Sequence, residues 1–119
     1  MPARTPEELD ALFQQAINSG DVEAAMALYE PGAVFPNAQG ELRTGLDAIR
    51  QEMAPFAASK ADIKLTVTKV IQAGDIALVY DDWTMTTPAP MSGRSVVVAR
   101  RQADGSWRFL IDDPFTIGA

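Results

Sequence analysis

Apolar positions follow two rhythms along this chain, and the change comes near residue 60. Before it, Leu9, Leu12, Phe13, Ala16 and Ile17 recur at the three-and-four spacing of one helix face. Val22, Ala25, Met26 and Tyr29 repeat that spacing, as do Leu46, Ile49, Met53 and Phe56. After it, Ile63, Leu65 and Val67 alternate with Lys64, Thr66 and Thr68, the period of a strand with one face in a core. The pattern predicts three helices followed by a sheet.

Residues at the element ends agree. Thr5 can cap the first helix while Glu8 reaches back to it, and Pro6 takes the first helical position, where its missing N–H is harmless. Asn18-Ser19-Gly20 ends that helix, Gly20 suiting the left-handed residue beyond it. Asp21 caps the second helix, and Pro31-Gly32 should stop it. Short strands at 33–36 and 42–44 flank Asn37-Ala38-Gln39-Gly40. The third helix starts near Gly45, and Pro55 is expected to kink or end it. Ala57-Ala58-Ser59-Lys60 then links to the sheet.

The strand from Asp62 loses its clean phase at Val70-Ile71, where a bulge is expected. Three further antiparallel strands span 75–86, 94–102 and 106–112. The last two are joined through Asp104-Gly105, a strong hairpin signal between β-rich runs. Thr87 to Gly93, with Pro88 and Pro90, is a loop. Helices gathered on one face of a curved antiparallel sheet give an α+β cone, a single domain over 1–119, with a pocket between its layers. The second sheet face also carries apolar residues, which implies a homodimer through the sheet.

Composition narrows the chemistry. The chain contains no histidine and no cysteine, which excludes histidine bases, Ser-His-Asp arrangements, thiolate nucleophiles and zinc–sulfur sites. Proton chemistry would fall to a carboxylate, tyrosine or lysine. A formal net charge of −6 argues against nucleic acid, and the lone pair Arg100-Arg101 does not offset it. No apolar run is long enough for a membrane span, and Met1 to Arg4 lack the apolar core of a secretory signal. A cytoplasmic protein without membrane partner or cofactor is expected.

The segment Asn18-Ser19-Gly20-Asp21-Val22-Glu23-Ala24-Ala25-Met26-Ala27-Leu28-Tyr29 resembles a second-helix signature of the nuclear transport factor 2-like superfamily. Thr44-Gly45-Leu46-Asp47-Ala48-Ile49-Arg50, Ala73-Gly74-Asp75-Ile76-Ala77-Leu78-Val79 and Asp104-Gly105-Ser106-Trp107 match it further along. The chain is most similar to small SnoaL-like and ketosteroid-isomerase-like bacterial proteins, and the ending from Trp107 to Phe115 is similar to their closing motif. The resemblance implies a cystatin-like cone. It does not imply one activity, because this fold hosts isomerases, cyclases, dehydratases, hydrolases and binding modules.

Ketosteroid isomerases use a carboxylate base with a tyrosine and a protonated aspartic acid around the enolate oxygen. The matching positions here are Phe13 for the tyrosine, Phe35 for the base, and Val98 or Ala99 for the acid. Isomerisation by those groups is therefore not expected. Phe13, Phe35, Met53, Phe56 and Trp83 would line the cone, either filling it or walling a cavity for a small apolar or cyclic molecule.

The acidic doublets Asp81-Asp82 and Asp112-Asp113 are the main polar candidates. Asp81 should share the inward side of Val79 and Trp83, and the resemblance favours Asp112 at the other doublet. An inward aspartate would have a raised pKa and could act as acid or base. The plain alternative makes both doublets solvated strand ends. Tyr80 becomes a candidate donor only if the strand phase is opposite. A metal site from Asp81 and Asp112 lacks a dedicated oxygen-rich loop and is not expected, and Lys60, Lys64 and Lys69 suit a solvated face. Three readings follow: a binding module for a small apolar molecule, an enzyme using a pocket aspartate, or a dimeric association domain.

Overall fold

A computed structural model describes residues 2–117. The elements are α1 (Pro6–Ser19), α2 (Val22–Met26), β1 (Tyr29–Pro36), β2 (Leu42–Thr44), α3 (Leu46–Ala58), β3 (Asp62–Ala73), β4 (Ile76–Thr87), β5 (Met91–Arg101) and β6 (Trp107–Ile117). One six-stranded sheet has the order β2-β1-β6-β5-β4-β3. It forms the α+β cone the sequence predicts, with one difference: β1 joins β6 in parallel, while the other neighbours are antiparallel.

The start of α1 carries the full capping box. Thr5 Oγ1 accepts from Glu8 N, and Glu8 Oε1 accepts from Thr5 N at 3.1 Å. Gly20 closes the helix at φ 84°, a conformation that suits glycine. Side chains of α1 then dock it on the sheet edge. Asn18 bonds both the N–H and the carbonyl of Ile63 at 2.9 Å, and Gln14 accepts from Leu65 N at 2.8 Å. Edge-strand backbone groups that would otherwise be unpaired thereby fix the helix against β3.

Several expected boundaries move. The second helix ends at Met26, and Tyr29 begins a strand: its Cα partner is Phe109, whose N–H donates to Leu28 O at 2.7 Å. Pro31-Gly32 therefore lies in an irregular, exposed part of β1 and does not stop a helix. Pro55 does not end α3. It falls in the last turn, where only one bond is lost, and Ser59 N→Pro55 O at 3.1 Å and Ala61 N→Phe56 O at 2.9 Å complete the end. Ala57 and Ala58 are helical, and Met91 already belongs to β5.

The register shifts at several places, and two of these shifts bear on which residues face inward. In β3 the register passes from Val67↔Asp81 to Lys69↔Tyr80, so the extra residue is Thr68, earlier than the expected Val70-Ile71. In β6 it passes from Phe109↔Ala99 to Ile111↔Val98, leaving Leu110 as the extra residue. Strict alternation from Trp107 and Phe109 would point Ile111 inward. The bulge turns Ile111 to the outer face and brings Asp112 inside, opposite Val97. The outer face is apolar around Ile76 and Ile111, both exposed, and the half-buried Leu78, Val96 and Val98.

Candidate functional site

Between helices and sheet lies a cavity of about 120 Å³. For comparison, a dry cavity of about 150 Å³ holds one benzene ring. Phe13 from α1, Phe35 from β1, Met53 and Phe56 from α3, and Trp83 from β4 all border it. Exposed Met91 stands at its rim.

Aromatic contacts set the walls. Phe13, Tyr29 and Phe109 form a cluster with centroid separations of 6.3, 6.2 and 4.9 Å. On the other side Phe115 meets Trp83 edge-on at 6.0 Å, and the Trp83 indole N–H donates to Pro114 O at 2.7 Å. Gly93, the Cα partner of Trp83, leaves the indole its space: a Cβ there would lie 2.9 Å from the ring.

Polar groups also reach this apolar chamber, the buried Ser95 of β5 among them. Asp81 lies on the buried side of β4 with Val79 and Trp83, while Asp82 is exposed and pairs with Arg94 at 3.2 Å. Asp112 is buried at 8 % exposure and accepts a 2.5 Å hydrogen bond from the Tyr29 hydroxyl. Asp113 is half-buried and accepts from Phe115 N at 3.3 Å. The inner member of each doublet is thus no solvated strand end. Tyr80 faces outward, with Lys69 over its ring at 5.5 Å.

A further group is Asp10 of α1, which composition and doublets did not reveal. It is 4 % exposed and borders the cavity, its carboxyl near enough to that of Asp81 to share a proton with it. The signal was present: Asp10, Phe13 and Ile17 fall at helical spacing on one stripe, so an acid stood on the inward face. Tyr29 gives no such signal, because its spacing from Ala25 and Met26 is that of helical packing.

Burial drives the electrostatics. It pushes the Asp10 carboxyl up to about 9, helped by its bond to Asp81 and by the charges of Asp81 and Asp112. Burial raises Asp112 to about 7. The Tyr29 hydrogen bond pulls against that rise, and the charges of Asp81 and Asp113 add to it. Tyr29 itself is held well above its usual range by burial and by the Asp112 charge beside it. No basic side chain borders the cavity among the described residues. None of their acidic groups is arranged in threes to hold a metal ion.

At the positions equivalent to the isomerase groups, Phe13 and Phe35 do border the cavity, Ala99 is buried and Val98 turns outward. The polar groups of this chamber come from other positions.

The fold and its chamber define a class: a cone-shaped α+β protein whose apolar interior is acid-lined. Within that class the chain belongs to the SnoaL-like domain family, whose pattern matches residues 9–110, and so to the nuclear transport factor 2-like superfamily. Asp112 lies just past that match. Solved structures share the fold. One is provisionally named a calcium/calmodulin-dependent protein kinase type II association domain, from Thiobacillus denitrificans. It is 19 % identical, covers 98 % of this chain and 99 % of its own, and has a TM-score of 0.79. A ketosteroid isomerase-like protein from Erwinia carotovora is 20 % identical over 95 % of this chain and 94 % of its own, TM-score 0.76. A protein from Streptomyces avermitilis, provisionally named a dehydratase of the NTF2-like family, is 18 % identical with the same coverage and a TM-score of 0.75. No curated protein has a matching sequence. No helix among the described residues is long and apolar enough to cross a membrane.

Proposed function

We propose that the cone binds a small, largely apolar molecule of about one ring and that Asp112 exchanges a proton with it. One observation carries this reading: a carboxyl with a pKa of about 7 faces an apolar cavity, bonded to a tyrosine hydroxyl. Near neutral pH such a group is both a usable base and, once protonated, a usable acid. The apolar walls strengthen its pull on a bound C–H or O–H by excluding water. The ketosteroid isomerase-like and dehydratase names of structural neighbours belong to those proteins; here they support proton transfer as a chemistry this cone can host.

The test is deuterium uptake at the α-carbon of single-ring ketones, followed by NMR in D₂O. Uptake should rise with pH through an inflection near 7, as Asp112 loses its proton. Asp112→Asn should lower it roughly 100-fold or more. Equal rates for both proteins would remove Asp112 from the chemistry.

The apolar walls favour a second reading, binding without turnover. It predicts that the same rings bind but exchange no faster than in buffer. A second copy packed on the outer sheet face would cover Ile76 and Ile111. The association-domain name of one neighbour supports that packing, and sedimentation equilibrium tests it.

A further inference from the structure

The Asp10–Asp81 pair takes no part in the proton exchange assigned to Asp112, yet it is the most deeply buried polar feature of the cavity. The two residues are 4 % and 3 % exposed, and both border the chamber. Oδ2 of Asp10 and Oδ1 of Asp81 are buried without a hydrogen-bond donor from any described residue. Two carboxyls this close can bond only through a shared proton, and ionising either leaves a negative charge that no donor side chain of the described residues meets. No lysine or arginine borders the cavity to balance that charge. A buried charge without a partner is costly in a folded chain. The cavity thus offers acceptor oxygens, uncompensated negative charge and aromatic faces on Phe13 and Trp83 in one chamber.

We propose that the Asp10–Asp81 pair is the seat of a protonated amine, so that the molecule bound in the cone is a single ring carrying an ammonium group. The inference rests on the reading of the cone as a small-molecule site and adds the class of molecule. An ammonium brings three donors and a positive charge, and aromatic ring faces attract it. A hydroxyl brings one donor and no charge. A divalent metal ion fits less well, because the described acids do not converge in the number such an ion requires.

The experiment is a calorimetric titration with benzylamine, benzyl alcohol and toluene at pH 6, where Asp112 is mostly protonated. Wild-type protein should bind benzylamine at least about tenfold more tightly than benzyl alcohol, as hydrogen bonds to a charged group require. Asp10→Asn should keep that preference, because the Asp81 carboxyl stays in the chamber and gains an amide donor. The double change Asp10→Asn with Asp81→Asn should reduce it to within about twofold. Should the double variant fail to fold, nuclear Overhauser contacts from the benzylamine methylene to the Asp10 and Asp81 β-protons of wild type decide the same point. Benzyl alcohol or toluene binding as tightly as benzylamine overturns the inference and leaves the apolar-ligand reading standing. An amine preference that survives in the double variant also overturns it. If none of the three binds, both readings fall.

Discussion

Tyr29 bonds Asp112 across 83 positions of sequence, and this contact sets how acidic the site is. The hydroxyl is the one influence lowering the Asp112 pKa against burial and two neighbouring charges. Tyr29→Phe should therefore raise it further, visible as a later titration of the Asp112 carboxyl by NMR. It should also destabilise the fold by about 1–3 kcal/mol above neutral pH, where a buried acceptor loses its donor. An unchanged titration would mean the hydroxyl does not govern Asp112. Sequence pattern located residues whose orientation follows from simple period two: Asp81 stands with Val79 and Trp83 as alternation requires. It was silent on Tyr29, where the same helical spacing also fits a short helix running into a strand. Asp10 was hidden for another reason. An acid on an apolar stripe looks like a surface residue until the opposite wall, here Asp81, is known to face it.

Elements were legible where caps and turns carry their own chemistry. The capping box at Thr5, the left-handed Gly20 and the Asp104-Gly105 hairpin are written in neighbouring residues. The bulges at Thr68 and Leu110 were not, because a bulge is fixed by the partner strand as much as by the strand that holds it. That is why alternation counted from Phe109 points to the wrong member of the second doublet. Close packing between β4 and β5 gives an element-scale test. Gly93→Ala would push a methyl against the Trp83 ring at 2.9 Å, a distance that the backbone, paired there with Trp83 itself, cannot easily relieve. Loss of about 1–3 kcal/mol is expected, as for other overpacked cores. The indole should also move off Pro114, shifting its fluorescence; an unshifted spectrum with full stability would count against this packing.

At the scale of the molecule, a buried acid site makes stability depend on pH in an unusual direction. Asp10 and Asp112 titrate higher in the folded chain than the ordinary 3.8, so folding takes up protons through them. Their contribution is complete below about pH 4 and is lost as pH rises, through about 7 for Asp112 and about 9 for Asp10. Glu30 opposes this at the acid end: the Arg100 hydrogen bonds lower its pKa, so its contribution is lost as pH falls. The melting temperature should accordingly be higher at pH 5.5 than at pH 8.5, by about 4 °C or more per kcal/mol of linkage. Asp10→Asn should flatten that slope, and an equally steep slope in the variant would place the proton uptake elsewhere.

The parallel pairing of β1 with β6 has a further consequence, one of timing. Tyr29 leaves the ribosome well before Asp112, so their strands cannot zip together until every strand between them has been made. Chains shortened to end before Asp112 should keep the β3–β4–β5 meander yet expose β1 to protease, leaving the acidic chamber without one of its sides.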